Sequence, residues 1–168
     1  MTSELVPMSI KGLMLDPVSN SPIVVLKDDE EKFFLPIWVG IFEANAIALQ
    51  LENISTPRPM THDLLRTMIA ELDARVSRIV INDLRDSTFF AQIRLLITRG
   101  GNDRMLEIDA RPSDAIALAL RAEAPIFVAQ SVLEQAQTIT PEDGEDPDER
   151  SKKWFENLSP EDLGKYKM

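Results

Sequence analysis

The sequence predicts one α+β domain, with a mixed or antiparallel sheet that contains hairpins and two to three packed helices. Two hairpin signals and one helix with an apolar stripe support this fold class. Strand-like and helix-like segments also come in clusters rather than in strict alternation, which is untypical of a doubly wound parallel sheet. The 168 residues, 44% of them hydrophobic, lie within the usual range for a single domain.

The first third of the chain predicts three strands and a helix. Residues 8–15 and 23–26 read as two strands, because the turn-forming residues 16–22 lie between them. Residues 33–39 predict a third strand, and Pro36 within it indicates a sheet edge or a bulge. Gly40 then opens a helix over residues 41–52.

A second helix is predicted over residues 62–72, after the rigid connector 55–59. Thr61 is expected as its N-cap, and Asp63 lies in its first turn. Five residues of this helix form an apolar stripe: Leu64, Leu65, Met68, Ile69 and Leu72.

The next segments predict more strands and two further helices. Residues 75–84 and 88–98 form a hairpin around Asp86-Ser87, and Gly100-Gly101-Asn102 turns the chain into a strand at 105–110. Ser113 is expected as the N-cap of a helix over 114–122. A short strand at 125–128 and a short helix at 132–137 complete the domain.

The chain divides into a domain over residues 1–138 and an acidic linker with a short tail over 139–168. The net charge of −10 argues against tight binding to phosphates through charge alone. The absence of cysteine fits a reducing compartment, and we see neither a signal peptide nor an apolar run long enough to span a membrane. We therefore expect a cytoplasmic protein.

Several acidic residues lie beside predicted turns, namely Glu43, Asp63, Asp86, Asp109 and Asp114. Carboxylates in such positions can hold hard divalent ions that activate water and neutralise a phosphate. Arg58, between two prolines, and Arg111 can bind phosphate oxygens, and His62 can act as a base or as a metal ligand.

The order of several motifs resembles the bifunctional nuclease family over about residues 8–137. The motifs are Leu35-Pro36-Ile37-Trp38-Val39-Gly40, Pro57-Arg58-Pro59, Thr61-His62-Asp63-Leu64-Leu65, Asp86-Ser87-Thr88-Phe89-Phe90-Ala91, the run from Ile108 to Ala119, and Ala124-Pro125-Ile126-Phe127-Val128. The resemblance implies a nuclease that cleaves DNA, RNA or both. We expect low sequence specificity and, because the carboxylates can hold Mg²⁺ or Mn²⁺, assistance by a metal ion.

This interpretation gives each candidate residue a role. The expected catalytic residues are His62, Asp63, Asp109 and Asp114, and the expected phosphate-binding residues are Arg58 and Arg111. The expected metal ligands are Glu43, Asp109 and Asp114.

Structural roles compete with these assignments. Asp114 suits a helix start, Arg111 can pair with Asp109, and Asp86 suits a turn. Trp38 and the pair Phe89-Phe90 are expected in the core. The alternative function is a non-catalytic module that binds a ligand or a protein partner. A homo-oligomer, most simply a dimer, is expected through the edge strand 33–39.

Overall fold

Seven strands form one mixed sheet in the computed structural model of the chain, which describes residues 4–136. The order across the sheet is β3-β2-β1-β7-β4-β5-β6, and the β4–β7 pair is parallel while the other pairs are antiparallel. The strands are β1 (Leu5–Leu15), β2 (Pro22–Asp28), β3 (Phe34–Trp38), β4 (Ala74–Arg85), β5 (Thr88–Arg99), β6 (Asn102–Ala110) and β7 (Ile126–Ala129).

Four helices accompany the sheet: α1 (Ile41–Leu51), α2 (Thr61–Glu71), α3 (Pro112–Ala122) and the short α4 (Gln130–Gln135). Helix α3 contacts α1, α2, β4 and β5. Small alanines alternate in it with Ile116 and Leu118, and nearly all of its residues are buried. The centre of the helical layer is therefore α3, and its neighbours α1 and α2 are positioned against it.

The predicted α+β class is confirmed, and so are the hairpins predicted over residues 8–26 and at Gly100-Gly101-Asn102, since β1–β2 and β5–β6 are antiparallel pairs. The β4–β5 pair around Asp86-Ser87 is antiparallel as well. At the β4–β5 turn, Asp86 and Ser87 adopt left-handed backbone angles, with φ of 50° and 57°. Gly100 and Gly101, with φ of 60° and 78°, turn β5 into β6. Asp tolerates this region better than most residues, so Asp86 fits its position for conformational reasons alone.

Two predicted N-caps were wrong. Helix α2 begins at Thr61, which makes Met60 its N-cap, and α3 begins at Pro112, which makes Arg111 its N-cap. Proline favours the first helical position because it has no N–H to leave unpaired there. Ser113 is instead fully buried inside the first turn of α3.

The apolar stripe of α2 does not face the core as a whole. Ile69 packs against the core cluster, whereas four large side chains of the stripe are 41–58% exposed: Leu64, Leu65, Met68 and Leu72. Helix α2 contacts α3 and β4, and most of its apolar surface lies outside those contacts. Helical periodicity identified the helix but not the extent of its buried face.

The expected edge strand is confirmed, since β3 lies at one end of the sheet and contains Pro36. Trp38 and Phe89 are buried, and Phe90 lies under the guanidinium of Arg85, 4.1 Å from its ring centroid. The predicted linker and tail lie outside the described residues. Within residues 4–136, no helix is both long and apolar enough to cross a membrane.

A buried carboxylate fixes the β1–β2 turn against β3. Asp16 is 1% exposed, and its Oδ2 accepts a hydrogen bond from the indole Nε1 of Trp38 at 2.9 Å. Its Oδ1 accepts from the backbone N–H groups of Val18 and Ser19. Burial raises the pKa of Asp16, but these hydrogen bonds, from Trp38 first, outweigh it and hold the pKa below its usual value.

We predict that Asp16→Asn lowers the free energy of unfolding by about 1–3 kcal/mol at pH 7, because an amide cannot accept all three hydrogen bonds as strongly. Since the pKa of Asp16 is lower in the folded state, its contribution is present above about pH 4 and is lost as the pH falls through the folded-state pKa. Urea unfolding of both proteins between pH 2.5 and 7 measures this. An Asp16→Asn deficit that does not shrink in acid would contradict it.

Candidate functional site at three helix starts

Three helices each carry an acidic residue at their third position: Glu43 in α1, Asp63 in α2 and Asp114 in α3. A carboxylate is stabilised there by the partial positive charge of the helix N-terminus. Because α3 contacts both α1 and α2, contacts of Glu43 and Asp114 join the three helix starts, and Asp63 contacts the last turn of α3. Two separate clusters of polar side chains result.

Arg111 is the centre of the first cluster. Its Nε donates to Asp114 Oδ2 at 2.9 Å, and its Nη2 lies 2.9 Å from both Asp114 Oδ2 and Glu43 Oε1. The hydrogen bond to Asp114 raises the pKa of Arg111, burial lowers it, and Glu43 raises it further, so the guanidinium stays charged. Its Nη1 has no protein partner within residues 4–136, and the side chain is 53% exposed.

His62 joins α2 to the same cluster. Its Nε2 lies 3.0 Å from Asp114 Oδ1, so the two oxygens of Asp114 contact His62 and Arg111 respectively. The histidine is 7% exposed, and its Nδ1 is buried without a hydrogen-bond partner in the described part of the chain. The Asp114 side chain, 31% exposed, is therefore the member of the pair that solvent reaches.

Gly40 makes room for the Glu43 carboxylate. A Cβ atom at this position would overlap Glu43 Oε2. The backbone angles of Gly40 (φ −69°, ψ 156°) are open to any residue, so its need for glycine comes from this close approach rather than from conformation. Four residues from three elements thus form what we call the Arg111 cluster: Glu43, His62, Arg111 and Asp114.

Asp63, the residue after His62 in α2, belongs to a second cluster. Its Oδ1 accepts from Arg121 Nε at 2.7 Å, and its Oδ2 accepts from the backbone N–H of Met60 at 2.8 Å. Burial raises the pKa of Asp63, while the bonds from Met60 and then Arg121 lower it below its usual value. Asp63 is therefore an ionised structural partner of Arg121.

Sequence reasoning missed Arg121. It is 6% exposed, and its Nη1 and Nη2 donate to the carbonyls of Ala117 and Ala46 at 2.9 and 3.0 Å. A signal was present: Arg121 follows Asp114 by seven residues, which places both on one face of an otherwise apolar helix.

The remaining candidates lie outside the Arg111 cluster. Asp109 is exposed near the end of β6, opposite Gln92, and has no side-chain hydrogen bond or ion pair among the described residues. The expected Arg111–Asp109 pair was wrong, because Glu43 and Asp114 hold Arg111 instead. Arg58 is exposed in the loop before α2 and lines a cleft with Asp63.

The expected divalent ion does not fit the Arg111 cluster as it is arranged. The Arg111 guanidinium lies between Glu43 and Asp114, where such an ion would need to bind. Within residues 4–136, no group of three or more histidine and acidic side chains is placed to hold a metal. The cation between these two carboxylates is an arginine.

We predict that Gly40→Ala displaces Glu43 from Arg111. The substitution should lower the free energy of unfolding by about 1 kcal/mol in the native sequence and by clearly less in a Glu43→Ala background, where no carboxylate is in the way. Any effect of alanine on the helix start is the same in both backgrounds, so it cancels when the two costs of Gly40→Ala are subtracted. Urea unfolding of the four proteins measures it.

Gly12→Ala is the matched control, because no atom lies within 4 Å of its added Cβ. Its effect should be the same with and without Glu43. An equal cost of Gly40→Ala in the two backgrounds would contradict the assigned contact.

A model of the bifunctional nuclease domain matches residues 24–141, which include both clusters. An uncharacterized protein of Mycobacterium tuberculosis (strain H37Rv) is 36% identical over 163 residues, covering 92% of this chain and 95% of that one.

Plant relatives carry the nuclease name. Bifunctional nuclease 1 of Oryza sativa subsp. japonica is 27% identical over 118 residues, and bifunctional nuclease 1 of Arabidopsis thaliana is 28% identical over 120. Each match covers 70% of this chain but only 35% and 36% of the plant proteins. On the family match and the mycobacterial relative together, the chain belongs to the bifunctional nuclease domain family.

Proposed function

We propose that the chain is a nuclease that hydrolyses phosphodiester bonds of DNA, RNA or both with low sequence specificity, and that the Arg111 cluster is its active site. The observation that carries this proposal is that the Arg111 guanidinium is charged, oriented by two carboxylates and partly exposed. Two carboxylates fix one edge of its guanidinium, while Nη1 has no partner among residues 4–136 and the side chain is 53% exposed. A charged, oriented and partly exposed guanidinium is well suited to bind a phosphate oxygen.

Phosphate binding is the role of Arg111. Its contacts with Glu43 and Asp114 use Nε and Nη2, so a substrate oxygen can accept from Nη1 without breaking either contact. The side chain is already oriented before substrate arrives, which lowers the entropic cost of binding. The same charge would stabilise the additional negative charge that develops on the phosphate in the transition state.

Proton transfer is the role of the Asp114–His62 pair. A water that attacks phosphorus must lose a proton, and Asp114 is the exposed acceptor beside Arg111. As the new P–O bond forms, the bond from phosphorus to the leaving sugar oxygen breaks, and that oxygen takes a proton from Asp114 or from solvent water. His62 contacts the other carboxylate oxygen of Asp114 and orients it. The buried Nδ1 of His62 does not reach solvent, so His62 acts through Asp114 rather than on the substrate directly.

Arginine takes the place of the Mg²⁺ or Mn²⁺ that the sequence leads one to expect. Glu43 and Asp114 would hold a divalent ion only if Arg111 moved away from both. The proposed chemistry therefore uses the guanidinium to neutralise the phosphate. A single arginine that contacts phosphate oxygens reads no base, which fits low sequence specificity.

A non-catalytic module is the second candidate, and one observation favours it. Each carboxylate in the two clusters already has a cationic or histidine partner, as expected if the clusters only join helices. The net charge of −10 also opposes binding to a polyanion. On this alternative, the protein binds a ligand or partner and does not cleave nucleic acid.

Cleavage of supercoiled plasmid and of end-labelled RNA separates the two candidates. We predict that the native protein cleaves both, and that Arg111→Gln lowers the rate at least about 100-fold because the phosphate loses its cation. Arg99→Gln is the matched control, since Arg99 is also an exposed arginine in an ion pair, with Asp73, away from the cluster.

The assay is run with EDTA, with Mg²⁺ and with Mn²⁺, and circular dichroism verifies that each variant is folded. Asp109→Asn should reduce the rate less than Arg111→Gln and leave the melting temperature unchanged, because the Asp109 side chain makes no hydrogen bond or ion pair among the described residues. Native-like rates for folded Arg111→Gln would rule out the proposed site. No cleavage by the native protein under any condition would favour the non-catalytic module.

We also propose that the chain forms a dimer through strand β3. Strand β3 is a sheet edge whose backbone groups on one side have no strand partner among the described residues. Such an edge is often covered by a second subunit. We predict about twice the chain mass in multi-angle light scattering at micromolar concentration, and a monomer there would contradict the proposal.

A further inference from the structure

A cleft of about 330 Å³ lies between the C-terminal part of α1, the loop before α2 and the start of α2. Its walls include Arg58, so we call it the Arg58 cleft. Asp63 and Arg121 also line it. His62 and Asp63 are consecutive, and because the first contacts Asp114 while the second borders the cleft, the two sites lie on adjacent sides of one helix start.

The charges of the cleft favour an anion. Asp63 and Arg121 neutralise one another through their 2.7 Å contact, and the Arg121 guanidinium is otherwise occupied by two backbone carbonyls. Arg58 is therefore the unbalanced charge among the lining residues, and it has no ion pair within the described part of the chain. A local positive charge in a protein of net charge −10 concentrates anions at that point.

The loop presents Arg58 in a fixed position. Pro57 and Pro59 on either side restrict the backbone, and Thr56 Oγ1 donates to the carbonyl of Arg58 at 2.7 Å. The hydrogen bond from Met60 N–H to Asp63 ties the end of the loop to α2. A cation held in this way loses little backbone freedom when it binds a ligand.

The remaining walls suit a nucleotide. Apolar side chains line part of the cleft, namely Leu49, Ile54 and Met60. Gln50 and Thr67 add groups that can form hydrogen bonds. The volume lies at the lower end of the roughly 300–1,000 Å³ typical of small-molecule sites, so it admits one small ligand and no duplex. An apolar wall accepts the face of any base.

We infer that the Arg58 cleft binds one unpaired nucleotide of a single-stranded nucleic acid, with the phosphate on Arg58 and the base against the apolar wall. This inference rests on the proposed function, and it assigns the nuclease a preference for unpaired strands.

Calorimetry with adenosine 5′-monophosphate and with a thymidine pentamer carrying uncleavable phosphorothioate links tests the inference. We expect both ligands to bind and to compete, and a blunt 12-base-pair duplex to bind at least about tenfold more weakly. Arg58→Gln should weaken binding of the monophosphate about tenfold, Arg58→Lys should restore most of it, and Arg99→Gln should leave it unchanged.

The outcomes separate this inference from the proposed function. Arg111→Gln should still bind the monophosphate, because Arg111 does not line the cleft. No binding at millimolar ligand, or equal binding by folded Arg58→Gln, overturns the nucleotide site even if the protein cleaves nucleic acid. Binding of the monophosphate but not of the pentamer overturns the single-strand assignment. Binding of both ligands without any cleavage supports the cleft and overturns the nuclease.

Discussion

The sharing of one guanidinium between two carboxylates is the contact on which the candidate site depends. Glu43 and Asp114 belong to different helices, and both lie within 2.9 Å of Arg111 Nη2. Without Arg111, two negative charges at neighbouring helix starts would repel each other. With it, the start of α1 is fixed to the start of α3, and the free Nη1 edge has a defined direction. Fold and site are therefore joined by the same contact.

Arg121, in the last turn of α3, also connects the helices to one another. Arg121 binds Asp63 of α2 and the Ala46 carbonyl of α1, so it joins all three helices from a buried position. Because the Arg121 side chain of this pair is buried, the pair suits a structural role better than a catalytic one. Arg111, half exposed and with donors to spare, suits binding better. The two arginines at opposite ends of α3 thus differ in burial, and that difference assigns a structural role to Arg121 and a binding role to Arg111.

The sequence predicted much of this arrangement, and the failures have physical causes. Local signals such as the Asp86-Ser87 and Gly100-Gly101 turns identified the hairpins, since turn geometry depends on few residues. His62, Arg111 and Asp114 were expected in one place, and they do meet. Asp109 was assigned to the same site because it lies at a strand end and Asp114 at the helix start that follows, but nearness in sequence does not determine which side chains share a contact.

Other features depend on tertiary packing that periodicity cannot reveal. The apolar stripe of α2 indicated a helix. Which of its residues are buried depends on the packing of α2 against α3 and β4, and this packing leaves Leu64 and Met68 exposed. Gly40 looked like a simple helix boundary, whereas its missing side chain accommodates the Glu43 carboxylate. The role of Arg121 was not predicted, because its partners Asp63 and Ala46 lie 58 and 75 residues away in sequence.

Side-chain NMR of the arginines tests the central claim most directly. The claim is that the open edge of Arg111 receives a phosphodiester. The Nε–H signals are assigned by substitution and followed during titration with the uncleavable pentamer at low salt. The account predicts a saturable shift of the Arg111 signal, while the Arg99 signal stays in place. A saturated complex in which the Arg111 signal has not moved would contradict it.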